Sequence, residues 1–154
     1  MREIKIRAYA VPEMVGSQWL YGFGVYAVEY AEHYAKEIGR EQDWYLYTEA
    51  AGVVQVNENS IGQYTGLKDK NGQEIYEGDI VKGVGWDDEN EIYIVEFGNG
   101  EYYLDSPEGA DYEYYNGDYP HGDRVQNWYE SEVIGNIYEN PELLDKEEKA
   151  NVDY

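Results

Sequence analysis

Carboxylates are the main reactive groups of this chain, because other reactive side chains are scarce. The sequence has 33 Asp and Glu, two histidines and no cysteine, so thiolate chemistry and Cys-ligated metals are excluded. His33 and His121 stand far apart, and no nucleophile-elbow pattern is present. A catalytic triad would have to be assembled from distant segments. The residues therefore predict no catalytic site and a protein that is not an enzyme.

Neighbouring carboxylates such as Asp87-Asp88-Glu89, or Asp111 with Glu113, raise the question of a divalent cation. Ca²⁺ and Mg²⁺ need several oxygens that converge at fixed spacing. The segment 105–118 lacks the twelve-residue calcium-loop pattern, because its acidic residues do not match any central glycine. We therefore expect no metal site and no cofactor. A divalent-metal-dependent enzyme is kept as the third alternative.

Acidic residues are concentrated in the interval between Lys82 and Arg124, which contains twelve of them and no basic residue. The whole chain has 11 Lys and Arg and a formal net charge of −22. Uncompensated like charge lowers folding stability, so a function can be the reason for its retention. The competing interpretation is a solvated surface that only keeps the protein soluble. The twelve acids are Asp87, Asp88, Glu89, Glu91, Glu96, Glu101, Asp105, Glu108, Asp111, Glu113, Asp118 and Asp123.

The acidic interval also contains seven tyrosines, which favours a protein-binding surface with a basic partner. Carboxylates would steer such a partner, and tyrosines would supply buried anchors. A sharper form of this hypothesis is a nucleic-acid mimic that occupies the basic groove of a DNA- or RNA-binding protein. The residues expected to bind the partner are Asp87, Asp88, Glu89, Asp111, Tyr112, Glu113, Tyr114, Tyr115 and Asp118.

The same charge makes direct binding to nucleic acid or to an anionic membrane unfavourable. The alternative function is a homo-oligomeric structural or assembly protein without a cationic partner. No run of eighteen apolar residues and no signal-peptide pattern occurs. Together with the absence of cysteine, this predicts a cytoplasmic protein.

Short strands are predicted along much of the chain, since apolar side chains recur there at period two. The segment 105–123 has no such periodicity and is predicted to be a long loop. The internal segment 29–38 differs, because Tyr30, Tyr34 and Ile38 are four apart and Gly39 follows, which predicts a short helix. Pro141 predicts a C-terminal helix, Glu142–Lys149, with Asn140 as its N-cap. The predicted strands lie in 3–9, 19–28, 44–48, 53–56, 91–97, 101–104, 124–128 and 132–138. Gly22 and Gly24 interrupt the pattern of 19–28 and predict one or two strands with a bulge or bend there.

The strongest turn signals lie in Gln63–Val81, which reads QYTGLKDKNGQEIYEGDIV. Asn71-Gly72 is typical of a tight hairpin in which both residues take positive φ. Glu77-Gly78-Asp79 predicts a second turn shortly afterwards, and Asn99-Gly100 predicts another tight hairpin. Turns so close together indicate a small and strongly bent sheet or barrel.

The string YTGLKDKNGQEIYEGDIV resembles the signature of the YopX-like proteins of phages and prophages. The likeness continues in Met1–Ala8 (MREIKIRA) and in Val133–Glu142 (VIGNIYENPE), in the same order. The resemblance implies a mostly-β domain with an SH3-like barrel component and a phage or prophage origin. It implies no particular reaction.

Taken together, the sequence predicts a mainly β fold: an SH3-like barrel or strongly bent antiparallel sheet with a short internal helix and a short C-terminal helix. A single YopX-like domain, 1–154, is expected. It would comprise N-terminal strands and the helix in 1–60, a barrel-like part in 61–139, and a C-terminal helix and tail in 140–154. Its 19 Tyr and 4 Trp are expected to help build the core.

Overall fold

The computed structural model describes residues 3–83, 92–105 and 130–145, and most of these belong to β-strands. The described strands form two antiparallel sheets, so the predicted mainly β class is confirmed. No closed barrel is found among the residues that the model describes, and an SH3-like architecture is not confirmed. By contacts, the chain divides into two compact units, residues 1–64 and 65–154, and each is described below by itself.

The elements of the described residues are strands, one α-helix and two 3-10 turns. The strands are β1 Ile6–Tyr9, β2 Trp19–Glu29, β3 Gln42–Thr48, β4 Val53–Val56, β5 Gly62–Lys68, β6 Glu74–Tyr76, β7 Asp79–Lys82, β8 Ile92–Gly98, β9 Glu101–Asp105 and β10 Glu132–Asn136. The helix is α1 Glu32–Ile38, and the 3-10 turns are Glu58–Ser60 and Pro141–Leu144.

In the first unit the strand order is β4-β3-β2-β1, and the start of β5 lies beside β1. The long strand β2 pairs with β1 through Gly22 and with β3 from Gly22 onward, with a bulge between Gly22 and Gly24. A Cβ atom on Gly22 would lie 2.0 Å from the Tyr47 carbonyl oxygen. The bend predicted from these two glycines is therefore confirmed, and Gly22 is required because the backbones approach so closely.

The sheet of the first unit curls, because the chain beyond β1 reaches β4. Ala10 bridges Val56, the Val11 N–H donates to the Gln55 carbonyl at 2.9 Å, and the Asn57 N–H donates to the Tyr9 carbonyl at 3.0 Å. A small aliphatic core lies inside the curl, with Ala8, Leu46 and Val56 buried. The predicted strong bend is thus present without closure of a barrel.

The second unit is built on a four-stranded sheet in the order β10-β7-β8-β9. Its buried core consists of Ile75, Val81, Tyr93, Val95 and Leu104. Within β8 the buried Tyr93 and Val95 alternate with partly exposed side chains, which confirms the period-two pattern of this strand. The remaining part of β5 lies beside β6 in the same unit.

The two Asn-Gly dipeptides form different turns. Asn99 and Gly100 have φ values of 52° and 84° and connect the pair Gly98–Glu101, so the predicted tight hairpin is confirmed. At Asn71-Gly72, which lies between the neighbouring strands β5 and β6, only the glycine has positive φ, at 79°.

The reason for the difference is the buried carboxylate of Asp69. One of its oxygens accepts the N–H groups of Asn71 and Gln73 at 2.8 and 2.9 Å, and the other accepts the Val133 N–H at 3.0 Å. Such side-chain-to-backbone bonds replace the tight-turn geometry. Asp69 therefore fixes the turn and also holds β10 against it.

The C-terminal block also differs from its prediction, because Pro141–Leu144 is a 3-10 turn and no side-chain cap from Asn140 is present. Instead, Asn140 Oδ1 accepts the Asn136 N–H at 3.2 Å, and Asn136 Oδ1 accepts the N–H groups of Tyr138 and Glu139. Asn140 is thus engaged with the preceding turn. The predicted helix beyond residue 145 lies outside the described residues.

The internal helix is confirmed but shorter than predicted, because β2 continues to Glu29. It ends at Gly39, whose φ is 80° and whose N–H donates to the Ala35 carbonyl at 2.9 Å. This is the left-handed C-cap predicted for that glycine. Within the described ranges, no helix has the length and apolar character needed to cross a membrane.

Aromatic residues contribute less to the core than the composition predicts. In the described part of the chain, the buried aromatic side chains are Tyr64, Tyr76 and Tyr93. Tyr93 belongs to the buried cluster of the second unit and Trp44 packs against that of the first, so aromatic residues do help build the core, although both buried clusters are mainly aliphatic. Several other aromatic side chains are exposed, and their arrangement is part of the candidate site.

Candidate functional site

The residues predicted to bind a partner fall outside the described residues, and their placement stays a prediction. They are Asp87, Asp88, Glu89, Asp111, Tyr112, Glu113, Tyr114, Tyr115 and Asp118. Three other acids of the same interval are described, namely Glu96 on β8 and Glu101 and Asp105 on β9.

The register of β8 and β9 brings these three acids to one face of the sheet. Ile94 is opposite Asp105, and Glu96 is opposite Tyr103, so the Glu96 and Asp105 side chains are diagonal neighbours. The Tyr103 Oη donates to Glu96 Oε2 at 2.9 Å. We call Glu77, Glu96, Glu101 and Asp105 the acidic face, because Glu77 also influences Glu96 electrostatically.

Burial and the neighbouring carboxylates of the acidic face both disfavour the charged form of Glu96. Burial raises the pKa of this carboxyl, and the nearby negative charges of Asp105 and Glu77 raise it further, while the Tyr103 hydroxyl opposes the shift. Burial also raises the pKa of Glu77. The folded unit therefore holds carboxylates at a free-energy cost, which a cationic group would relieve.

The lysines of the second unit that form ion pairs converge on another carboxylate. Lys70 Nζ and Lys82 Nζ lie 3.4 and 3.6 Å from the same oxygen of Glu132. Glu132 is on β10, which is the strand at the opposite end of the sheet from β9. These two positive charges are therefore engaged away from the acidic face.

A cluster of hydrogen-bonded polar side chains in the first unit is centred on Asp43. Arg40 Nε and Nη2 donate to its two carboxylate oxygens at 2.7 and 3.0 Å, and the Tyr30 Oη donates at 2.5 Å. Arg40 holds the pKa of Asp43 below its usual value, with help from Tyr30, and the hydrogen bond to Asp43 raises the pKa of Tyr30 to about 12. None of the three groups changes charge near neutral pH, so they form a structural link and do not suit acid-base catalysis.

Exposed aromatic residues cover the other prominent surface, on the face of the first sheet opposite its core. The register places Tyr26 beside Tyr45, and Gly24, Tyr47 and Val53 in one row. Phe23, in the bulge, reaches the same row because its ring stacks on Tyr47. We call this surface the aromatic face, and its members are Tyr21, Phe23, Tyr26, Val28, Tyr45, Tyr47 and Val53.

The rings of the aromatic face stack on one another across the strands. The centroid distance is 6.0 Å for Phe23 and Tyr47 and 5.2 Å for Tyr26 and Tyr45, with interplanar angles of 22° and 18°. Tyr26 also contacts Tyr47 at 5.2 Å. These contacts join aromatic side chains of β2 and β3 into one continuous surface.

The sequence analysis missed the aromatic face, although a signal was present. Trp19, Tyr21 and Phe23 alternate with smaller residues, and Tyr45 and Tyr47 do the same on the next strand. This period of two places all five side chains on one side of a sheet. The bulge at Gly22 and Gly24 shifts the later aromatic position from 25 to 26.

The remaining candidates for chemistry are weak. His33 is an exposed residue of α1, and His121 lies outside the described residues. Within residues 3–83, 92–105 and 130–145, no group of three or more His, Asp or Glu is arranged to hold a metal ion. The described geometry thus presents two surfaces, one acidic and one aromatic.

Fold and surfaces together define a small, acidic, mainly β protein. A family model described as YopX protein matches residues 25–145, so the chain belongs to the YopX family. This confirms the resemblance found in its sequence blocks. The YopX family is not a known enzyme family.

A solved structure of another protein is similar to this chain. The crystal structure of protein EF1440 from Enterococcus faecalis is similar over 94% of this chain and 100% of that chain, with 21% sequence identity and a TM-score of 0.48. The comparison with curated proteins gives no significant match.

Proposed function

We propose that this YopX-family protein is a non-enzymatic binding module that recognises a protein with a basic surface. The observation that carries the proposal is the strand register that places Glu96, Glu101 and Asp105 on one face of the sheet. Burial raises the pKa of the Glu96 carboxyl there, and the negative charges of Asp105 and Glu77 raise it further. A folded protein that keeps such a group loses stability. A basic partner would reverse that loss when it binds, and this provides a reason for the acids to be kept.

The charge of the chain is distributed unevenly, which supports the proposal. Residues 1–64 contain nine acidic and five basic residues, whereas residues 65–154 contain 24 acidic and six basic residues. Solubility alone requires no such division, because charge anywhere on the surface keeps a protein in solution. A concentration of negative charge in one unit instead favours electrostatic steering of a cationic partner.

The proposed contact surface combines the acidic face with the acidic and tyrosine-rich residues of the sequence interval between Lys82 and Arg124. The partner-binding residues Asp111, Glu113 and Asp118, with Tyr112, Tyr114 and Tyr115, keep their proposed roles, as do Asp87, Asp88 and Glu89. In its sharper form the surface imitates a nucleic-acid backbone. The origin in a phage or prophage and action in the bacterial cytoplasm are parts of the same proposal.

The test is a comparison of two triple variants that remove equal charge. Glu96→Gln/Glu101→Gln/Asp105→Asn neutralises the acidic face, and Glu37→Gln/Glu41→Gln/Glu49→Gln neutralises three exposed acids of the first unit. Immobilised proteins would capture basic proteins from a bacterial host lysate at about 0.05 M salt and at about 0.5 M salt, where screening is much stronger. Captured proteins would be identified by mass spectrometry.

We expect the wild type and the first-unit variant to retain the same basic protein at low salt, and the acidic-face variant to lose most of it. High salt should release the protein from all three. If capture does not depend on either the acidic face or the salt, the proposed function is wrong. Mimicry would be tested next by measuring whether the chain competes with duplex DNA for the captured protein.

A further inference from the structure

The aromatic face is unusual in a chain this acidic, because it combines exposed apolar area with very little charge. The exposed fractions of Tyr21, Phe23, Tyr26 and Tyr47 lie between 36% and 55%, and that of Val53 is 48%. Since an aromatic side chain carries about 150–250 Å², the face exposes roughly 500 Å². That is near the upper end of what a monomer exposes without a partner.

Charged side chains are nearly absent from the outward positions of β1 to β4 in the described chain. Arg7 is one, and its guanidinium lies 4.9 Å from the centre of the Trp19 ring. Asp43 is the other, and Arg40 neutralises it. Enrichment in aromatic residues together with depletion of charge is typical of the core of a protein interface.

The chemistry of the face narrows the choice of occupant. Stacking of nucleic-acid bases requires accessible ring faces, and Phe23, Tyr26 and Tyr47 already contact one another through their rings. The net charge of −22 also opposes an anionic ligand. A strongly cationic partner would find no available carboxylate here, since Asp43 is already paired. The complementary surface is therefore apolar, aromatic and nearly uncharged.

We propose that the occupant is a second copy of this chain, packed with its aromatic face against the aromatic face of the first. A two-fold arrangement lets the same residues serve both copies, and ring edges with tyrosine hydroxyls can interdigitate with their equivalents. Two faces together would bury roughly 1,000 Å² of apolar surface, which is close to the lower limit of specific interfaces. The expected assembly is a reversible homodimer.

Charge sets a distinctive condition on this dimer. Each copy carries a formal −22, so like charges oppose association, and the aromatic face belongs to the unit with the smaller excess of acids. Salt screens the repulsion and leaves apolar burial in place. The dimer should therefore become tighter as salt rises, whereas capture of a basic partner should become weaker. This inference does not depend on the proposed function.

The experiment is sedimentation equilibrium of the full chain over a range of concentrations, at about 0.05 M and about 0.5 M salt. The disruptive variant is Phe23→Lys/Tyr47→Lys. The matched control is Ile4→Lys/Val15→Lys, which places the same charges at exposed apolar positions of the same unit that are outside the face. Far-ultraviolet circular dichroism would verify folding, and Val53→Lys alone provides a milder variant if the double substitution unfolds.

We expect the wild type and the control to dimerise more tightly at higher salt. Phe23→Lys/Tyr47→Lys should weaken the dimer at least tenfold, as substitution of central aromatic residues does in other interfaces. A monomer at every concentration and salt, a dimer that weakens with salt, or a dimer that tolerates lysine at both positions would each overturn the inference. A monomer whose aromatic face is protected from chemical footprinting would show that a segment of the same chain covers it, which also overturns the proposal.

Discussion

The two units of the chain differ in how they use polar and aromatic residues. The first unit has an excess of only four acidic residues and displays aromatic side chains on a sheet face, while its buried core is aliphatic. The second unit carries most of the negative charge and uses buried Asp and Asn side chains to hold its turns. The difference teaches that the two candidate surfaces have different chemistry, one apolar and aromatic in the first unit and one acidic in the second.

The segments 64–81 and 133–142, which resemble the family signature, contain side chains that accept hydrogen bonds from backbone N–H groups. Asp69 in KDKNG and Asn136 in IGNIYENP each accept several N–H groups. Gly135 is also required, since a Cβ atom there would lie 2.6 Å from Asn140 Oδ1. These residues identify the family because they specify turns, and specificity for a partner must come from other side chains.

The largest expected effect is loss of the turn acceptor of the second unit. Asp69→Ala would leave the N–H groups of Asn71, Gln73 and Val133 without their acceptor, at a cost of about 3–4 kcal/mol in the free energy of unfolding. Urea denaturation measures this change. Asn71→Ala, in the same turn but with an exposed side chain, is the control and should change stability by less than about 0.5 kcal/mol.

The next effect concerns the bulge that positions the aromatic face. Gly22→Ala would place a methyl group 2.0 Å from the Tyr47 carbonyl oxygen, and the strands would have to separate, at about 2–3 kcal/mol. Gly24→Ala is the matched substitution, because its nearest contact would be an ordinary 3.7 Å. Equal melting temperatures for the two variants would contradict the described register.

A smaller loss of stability is expected when Asp43 is replaced, because this acid, unlike those of the acidic face, is paired with Arg40. Asp43→Asn should lower stability at neutral pH by about 1–2 kcal/mol, because it weakens charge-assisted hydrogen bonds to Arg40 and Tyr30. The folded pKa of Asp43 is depressed, so its contribution is present above the ordinary value of about 4 and is lost as pH falls through the folded pKa. Denaturation curves of both proteins should therefore converge in acid.

The smallest effect has the opposite sign. Glu96→Gln should raise stability at neutral pH by about 0.5 kcal/mol, a modest gain because water screens the partly exposed carboxylate. The folded pKa of Glu96 is raised, so the penalty is present above that pKa and disappears as pH falls below the unfolded value. Neutral-pH destabilisation of the Gln variant would show that the Tyr103 hydrogen bond outweighs repulsion in the acidic face.

The sequence by itself determined the mainly β class, the family and most element boundaries. These properties depend on local patterns: period-two alternation in β8, the positive φ of Asn99-Gly100, and the glycine that ends α1. Local backbone preferences act over a few residues, so they can be read from a single sequence.

Tertiary structure decided the features that join distant residues. The turn at Asn71-Gly72 follows the carboxylate of Asp69, which also reaches Val133, 64 residues away. The aromatic face depends on the register between β2 and β3 on either side of the bulge, and the partial burial of Glu96 depends on the register between β8 and β9. Such outcomes are set by packing and by hydrogen bonds between segments far apart in the chain, which override local preference.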